Sequence, residues 1–311
     1  MTKIYTLDQI KTALDYSEII GAIEEGFVLY SQNKTVVPSV GYLRFENGRA
    51  DVHLKYGYIR DDDFYVVKIA SGFYENPKIG LPSSNGLMLV FSQKTGELLT
   101  ILLDEGYLTD IRTAVAGAVV AKYLAPKKID SIGIICCGIQ ARLQLELLKE
   151  VTDCRKAIVW GRNQEKLKKY QQEMSEKGFE IETATNISNI TENCQLIVTT
   201  TPAKTPLLFA DQIKKGTHIT AVGADAEGKQ ELDANIFELA DIVVADSIGQ
   251  CVDHGDISHA NISKDKINEF GNVIVNPDLQ RKNDEQITVA DLTGVAVQDI
   301  QIAKYVYQKF R

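Results

Sequence analysis

The chain's 311 residues, 44% of them apolar and 24% charged, suffice for a buried core in one or two domains and argue against intrinsic disorder. A formal net charge of −8 disfavours nucleic acid as a partner, because no basic surplus offsets phosphate repulsion, yet a local Arg or Lys pocket could still take a small anion. No apolar run approaches the ~20 residues of a membrane span, Met1–Ile10 lacks a secretory pattern, and five cysteines without a CxxC pair predict a reducing, cytoplasmic setting with no disulfide frame or structural zinc.

Two helical segments, about Leu7–Tyr16 and Ser17–Gln32, open the chain. Short apolar or alternating stretches follow at Val52–Lys55, Phe64–Ile69, Leu87–Phe91 and Leu98–Leu103, separated by Gly, Asn, Asp and Pro turns. Glu46-Asn47-Gly48 and Lys94-Thr95-Gly96 have the composition of hairpin turns, so this half predicts an antiparallel sheet with helices. From Asp104 a helix builds through Thr109–Tyr123 and stops at Ala125-Pro126. Its one arginine, Arg112, interrupts a small, apolar stretch, as a salt-bridged residue or a ligand for carboxylate or phosphate would.

After Pro126 the rhythm changes to strand and helix in alternation. Ser131–Cys136, Ala157–Trp160, Ile181–Ala184, Leu196–Thr200, His218–Val222 and Ile242–Ala245 read as buried strands, with helices at Gln140–Glu150 and Gln164–Lys177. That rhythm predicts an α/β fold with a doubly wound parallel sheet. Gly294–Phe310 forms one more helix, which could return to pack on the first half.

The segment Ser131–Ala141 has the form strand, tight turn, helix, which lets a glycine bring backbone up to a pyrophosphate at a helix N-terminus. Here the first glycine position is Cys136 and Gly138 remains. The second strand ends in Gly161-Arg162, where an acid would accept the ribose 2′-hydroxyl of NAD and an arginine accommodates the 2′-phosphate of NADP. Asp225 follows a strand, at the edge where open α/β sheets place their chemistry; it could move a proton at an amine or imine, or simply cap a turn. Lys68 ends an apolar strand and could reach a substrate carboxylate or stay on the surface. His254, His259 and Asp256 suit a loop better than a metal site, so no metal is expected.

Taken together, Leu108–Ala114, Gly138–Ala141, Val159–Arg162, Gly223–Leu232 and Gly294–Asp299 resemble the ornithine cyclodeaminase/mu-crystallin family over essentially the whole chain. The resemblance implies a homodimer with a Rossmann-type dinucleotide-binding domain at 114–292. Residues 1–113 and 293–311 would then form an α+β domain for substrate binding and dimerisation. It implies NAD(H) or NADP(H) as cofactor, Asp225 as the catalytic carboxylate, Lys68 as a catalytic and substrate-binding lysine, and Arg112 as a contact to both substrate carboxylate and cofactor. Cofactor contacts would come from Ser83, Arg112, Thr113, Gly138, Ile139, Gln140, Ala141, Gly161, Arg162, Thr200, Thr201, Val222, Gly223 and Lys229. The chain departs from the family pattern at Cys136, at Asp291-Leu292-Thr293-Gly294, and at Pro38-Ser39-Val40, where the family usually has Pro-Arg, with an arginine that contacts substrate in some members. Arg44 is the nearby candidate to replace that arginine, and Thr293 a candidate substrate contact.

The stretch Lys68–Ser83 with Asn85–Met88 is similar to the branch that holds iminosuccinate reductases and ectoine-utilisation proteins. This implies reduction of a small 2-imino acid, with Arg44, Lys55 and Lys78 as candidate contacts to a second substrate carboxylate. Two other activities fit the same residues: cyclodeamination of ornithine with catalytic NAD⁺, and non-catalytic ligand binding of the mu-crystallin type.

Overall fold

The computed structural model describes residues 2–46 and 49–311. The Asn47-Gly48 portion of the first expected hairpin turn lies outside the described residues. Two compact units emerge, Met1–Thr113 with Val295–Arg311, and Ala114–Gly294.

The first unit is built on a seven-stranded sheet: β1 (Lys3–Thr6), β2 (Thr35–Val36), β3 (Gly41–Arg44), β4 (Ala50–Ile59), β5 (Phe64–Phe73), β6 (Ser84–Ser92) and β7 (Leu98–Leu103). Its order is β1-β7-β6-β5-β4-β2, with β3 also on β4. The pairs from β2 to β7 are antiparallel, as the turn chemistry predicted. β1 is the exception, since it lies parallel to β7. It starts the chain at the sheet edge and feeds α1 (Leu7–Ala13) and α2 (Tyr16–Ser31) rather than a hairpin, and the chain comes back beside it only as β7. Asp15 caps α2 by accepting from the amides of Ser17 and Glu18. The closing helix, Ala296–Lys309, packs on α2, β4 and β5. A Cβ at Gly26 of α2 would stand 2.9 Å from Gln301 Cγ, so glycine permits that close approach.

α3 (Tyr107–Leu124) carries the chain into the second unit. There β8 (Ile132–Ile135), β9 (Lys156–Trp160), β10 (Glu180–Ala184), β11 (Leu196–Thr199), β13 (His218–Ala221), β15 (Ile242–Ala245), β16 (Ile267–Glu269) and β17 (Thr288–Asp291) form one parallel sheet. Its order is β10-β9-β8-β11-β13-β17-β15-β16. The chain winds outward from β8 through β9 to β10, then crosses back to β11, which makes the β8/β11 boundary the switch point of a doubly wound Rossmann-type sheet. The helices α4 (Ile139–Leu147), α5 (Gln164–Glu176), α6 (Ser188–Asn193), α7 (Asn235–Leu239), α8 (Ile248–His254) and α9 (Phe270–Val275) connect the strands. A separate ribbon pairs β12 (Lys204–Leu208) with β14 (Gln230–Leu232). Among the described residues no helix is long and apolar enough to cross a membrane.

Candidate functional site

In the second unit, a cleft of about 930 Å³ opens at the carboxyl ends of β8 and β9 and along the loop after β11. Cys136, Gly138, Trp160, Arg162, Thr201 and Lys204 are among its walls. Gly138 caps α4, and a Cβ built there would meet nothing nearer than Cys136 Sγ at 3.8 Å, so the helix N-terminus is open to a close ligand. Ile139 at the first helical position is exposed, while Ala141 is buried and accepts from Tyr170 Oη through its carbonyl. Cys136 has φ of 143°, a backbone state that favours glycine, and it holds the position where the sequence pattern wants glycine. The chain therefore keeps the glycine-like turn with a side chain on it.

Gly161 is required for packing, since a Cβ would fall 2.9 Å from Cys137 Sγ. Arg162 lines the cleft beside Lys166 and Lys169. Arg142 is held by Glu173 at 2.5 Å and by the carbonyls of Cys137 and Gly138, with its guanidinium over the Tyr170 ring. An open helix N-terminus, a glycine without a Cβ and a cation-rich wall fit a dinucleotide's phosphates and adenosine ribose.

The next loops of the same edge carry the remaining predicted residues. Thr200 donates its amide to Ile135, and Val222 to Thr199. Asp225, half exposed, pairs with Lys229 Nζ at 2.5 Å, and the Lys229 carbonyl meets His259 Nε2. Gly223 and Thr201 both donate their amides to Glu231, which falls within the Gly223–Leu232 motif. Thr293 is buried, and its amide and hydroxyl both donate to Asp246 Oδ1. Its hydroxyl also accepts from Gln250, so the group proposed for substrate is engaged in holding the framework.

In the first unit, Lys68 takes the inward position of β5 that Phe64 and Val66 take before it. It is 2% exposed and donates to Asp299 Oδ1 at 3.1 Å. Arg112 of α3 reaches the same oxygen with Nε at 3.0 Å, within ion-pair range but without hydrogen-bond alignment, and donates through a terminal nitrogen to Gln298 Oε1. Two cations thus share one carboxylate. Asp299 Oδ2, Gln298 Nε2 and Arg112 Nε are buried without a hydrogen-bond partner, an arrangement that asks for a polar ligand. Burial, opposed by Asp299 and helped by Arg112, brings the Lys68 ammonium down to about 7. Burial would raise Asp299, but Arg112 and Lys68 hold it below the usual carboxylate range. Burial pushes nearby Asp104 up to about 6; its Oδ2 accepts from the Leu108 amide.

Of the other predicted residues, Arg44 stands on β3 over the Tyr42 ring, Thr113 donates to the Thr109 carbonyl, and the Ser83 carbonyl accepts from Phe73 at the entry to β6. Asp299 and Gln298 were not singled out, although they fall in the last motif; a charge on an otherwise buried helix face was the available signal. Among the described residues no cluster of His, Cys, Asp or Glu is placed to hold a metal ion.

The doubly wound sheet, its glycine turn and the cation-lined cleft define a dinucleotide-binding α/β protein. The chain belongs to the ornithine cyclodeaminase/mu-crystallin family, whose model matches residues 1–311. It is 39% identical over 299 residues to an uncharacterized cyclodeaminase of Sinorhizobium fredii, covering 94% of this chain and 90% of that one. It is similar to an archaeal alanine dehydrogenase dimer with bound NAD, at a TM-score of 0.89 and 34% identity over 99% of this chain and 95% of the other. It superposes on the Δ1-pyrroline-2-carboxylate reductase of Thermococcus litoralis, solved with NADH and L-proline, at a TM-score of 0.93 and 30% identity, covering 99% and 97%. The expected affinity to the iminosuccinate reductase branch holds at the level of the family, with an iminosuccinate reductase among the relatives but more distant than the alanine dehydrogenase. The iminosuccinate reductase of Paracoccus denitrificans is 33% identical over only 254 residues, 80% of this chain and 78% of its own length.

Proposed function

We propose that the protein reduces a small 2-imino acid to the corresponding L-amino acid with NADH or NADPH. The observation that carries this reading is the buried Lys68–Arg112–Asp299 cluster, with its surplus positive charge and unfilled polar atoms. A substrate carboxylate supplies the missing negative charge and acceptors, and a bidentate contact to Arg112 would fix its plane. Asp225, paired with Lys229 Nζ, handles the nitrogen proton. The bound dinucleotide supplies the hydride for the α-carbon of the imine, and a proton completes the amine. Gly138, Arg162, Thr201 and Gly223 would hold that cofactor along the cleft edge. The relatives support this class of reaction, since an alanine dehydrogenase and a pyrroline-2-carboxylate reductase both stand near this chain.

The deciding experiment mixes the protein with NADH or NADPH, ammonium and a panel of mono- and dicarboxylic 2-oxo acids, and follows absorbance. Stoichiometric oxidation of the cofactor with amino acid formed is the expected result. A parallel incubation with ornithine and NAD⁺ addresses the cyclodeaminase reading, which the Sinorhizobium relative's name favours. Ammonia release with no net change in NADH would overturn the reductase assignment. We also propose a homodimer. Exposed Tyr42, Leu43, Phe45, Phe73, Tyr74, Ile79 and Leu81 of the first unit give it an apolar surface to cover, and light scattering at twice the chain mass is the expected outcome.

A further inference from the structure

We infer that Glu231 is a positioning residue for the proposed reaction: its single carboxylate fastens the loop bearing Asp225 to the loop that follows β11. The inference rests on the role proposed for Asp225. Glu231 lies on β14 and is fully buried. Its Oε2 accepts from the Gly223 amide at 2.8 Å and from Thr199 Oγ1 at 2.7 Å, and its Oε1 accepts from the Thr201 amide at 2.5 Å. Gly223 stands two residues before Asp225, and Thr201 lines the dinucleotide cleft. One side chain therefore ties together the ends of two strands.

The loops themselves meet backbone to backbone. A Cβ at Gly223 would lie 2.2 Å from the Thr201 carbonyl oxygen and 2.6 Å from Glu231 Oε2, so a larger residue would force the loops apart. Glu231 is fixed in turn, because Asp256 Oδ1 accepts the amides of Glu231 and Leu232. Among the described residues its bonded partners are the amides of Gly223 and Thr201 and the hydroxyls of Thr199 and Thr201, with no cation among them. Burying a carboxylate on those terms is costly, and an apolar side chain would fill the space at less expense. Burial and the nearby Asp256 charge push its carboxyl up to about 7, which restates the same cost. The return is precision, since a proton-transfer group displaced by about 1 Å loses much of its rate.

The test uses Glu231→Gln, Asp225→Asn and the double variant in the full chain. The glutamine keeps the shape and one acceptor but turns an N–H₂ toward one of the donors. The expected result is a fall in kcat of roughly 30-fold or more, with dinucleotide Kd by calorimetry, which feels the same clamp through Thr201 and Gly223, weakened by a clearly smaller factor. The double variant should be no slower than Asp225→Asn, because the clamp acts through that residue. Unchanged kcat in Glu231→Gln, multiplying losses in the double variant, or loss of dinucleotide affinity by the same factor as kcat would each overturn the inference. Full turnover by Asp225→Asn would overturn the reading of Asp225 and this inference with it, whereas an inactive Asp225→Asn beside an intact Glu231→Gln overturns the inference alone. Should Glu231→Gln not fold, Thr199→Val removes one donor without touching the acid. A kcat loss of roughly 3- to 10-fold at constant dinucleotide Kd is then expected, and wild-type kcat overturns the proposal.

Discussion

Lys68 sits where Phe64 and Val66 would lead one to expect carbon, and its charge has to be justified by what it meets. Burial holds its ammonium at about 7, so above that value the lysine loses its proton and the cluster loses its grip on a carboxylate. We expect KM for the imino acid to rise up to about tenfold per pH unit above about pH 7, with dinucleotide affinity flat. Lys68→Met should raise KM throughout and remove that pH dependence; a variant with the wild-type profile would dismiss the lysine from substrate binding. Cys136 poses a different problem, since φ of 143° burdens any side chain at a cost of about 1–3 kcal/mol. Cys136→Gly should gain about 1 kcal/mol after glycine's entropy cost, visible as a melting temperature a few degrees higher, and a lower one would show that the thiol repays its strain. Lys68, Arg112 and Cys136 were visible in the sequence because each breaks a local pattern. Asp299 offered only a charge on an apolar helix face, and Glu231 offered nothing, because its role comes from donors elsewhere along the chain.

β17 shows how an element can escape a local reading. Thr288–Asp291 has four residues and no alternation, yet it lies in the middle of the sheet between β13 and β15, with Asp291 level with Ala221 and Ala245. Runs such as Ile132–Ile135 declare themselves by composition, whereas β14, β16 and β17 are three or four residues long and defined by their neighbours. A polar knot secures β17. Thr288 Oγ1 donates to the Leu124 carbonyl at 2.9 Å, meets His218 Nδ1 at 2.8 Å and accepts from Arg281 at 3.0 Å. Thr288→Val keeps the shape and takes from buried His218 Nδ1 its partner, while the Leu124 carbonyl and Arg281 each lose one of several. A loss of about 2–4 kcal/mol in chemical unfolding is expected, and a neutral result would mean that water or a rotated side chain replaces the hydroxyl. The α/β rhythm itself was plain from the sequence, because each strand and its following helix are adjacent in the chain.

For the protein as a whole, the buried acids set the pH of greatest stability. Burial pushes Asp104 and Asp256 up to about 6 and Glu231 up to about 7, and it raises Asp291 as well, with the Asp256 charge adding to the effect. Between their ordinary values and these, the folded chain keeps protons that the unfolded chain releases, so stability falls as pH rises through that window. His218 opposes them: burial depresses it from 6.5 to about 3, so the unfolded chain takes up a proton as pH falls through that range and stability drops. Four acids outweigh one imidazole. The melting temperature is therefore expected to be higher near about pH 5 than near about pH 7, and a steady rise over that interval would contradict the buried-acid account.

Trp160 ends β9 on the wall of the dinucleotide cleft, and it is the sole tryptophan in the sequence. All indole emission from this protein therefore originates at one known place. Reduced nicotinamide absorbs where indole emits, so cofactor bound beside Trp160 would quench it by energy transfer while free cofactor would not. Titrations of NADH and NADPH into wild type and Arg162→Ala then become unlabelled optical measurements, able to rank the two cofactors before any substrate is known.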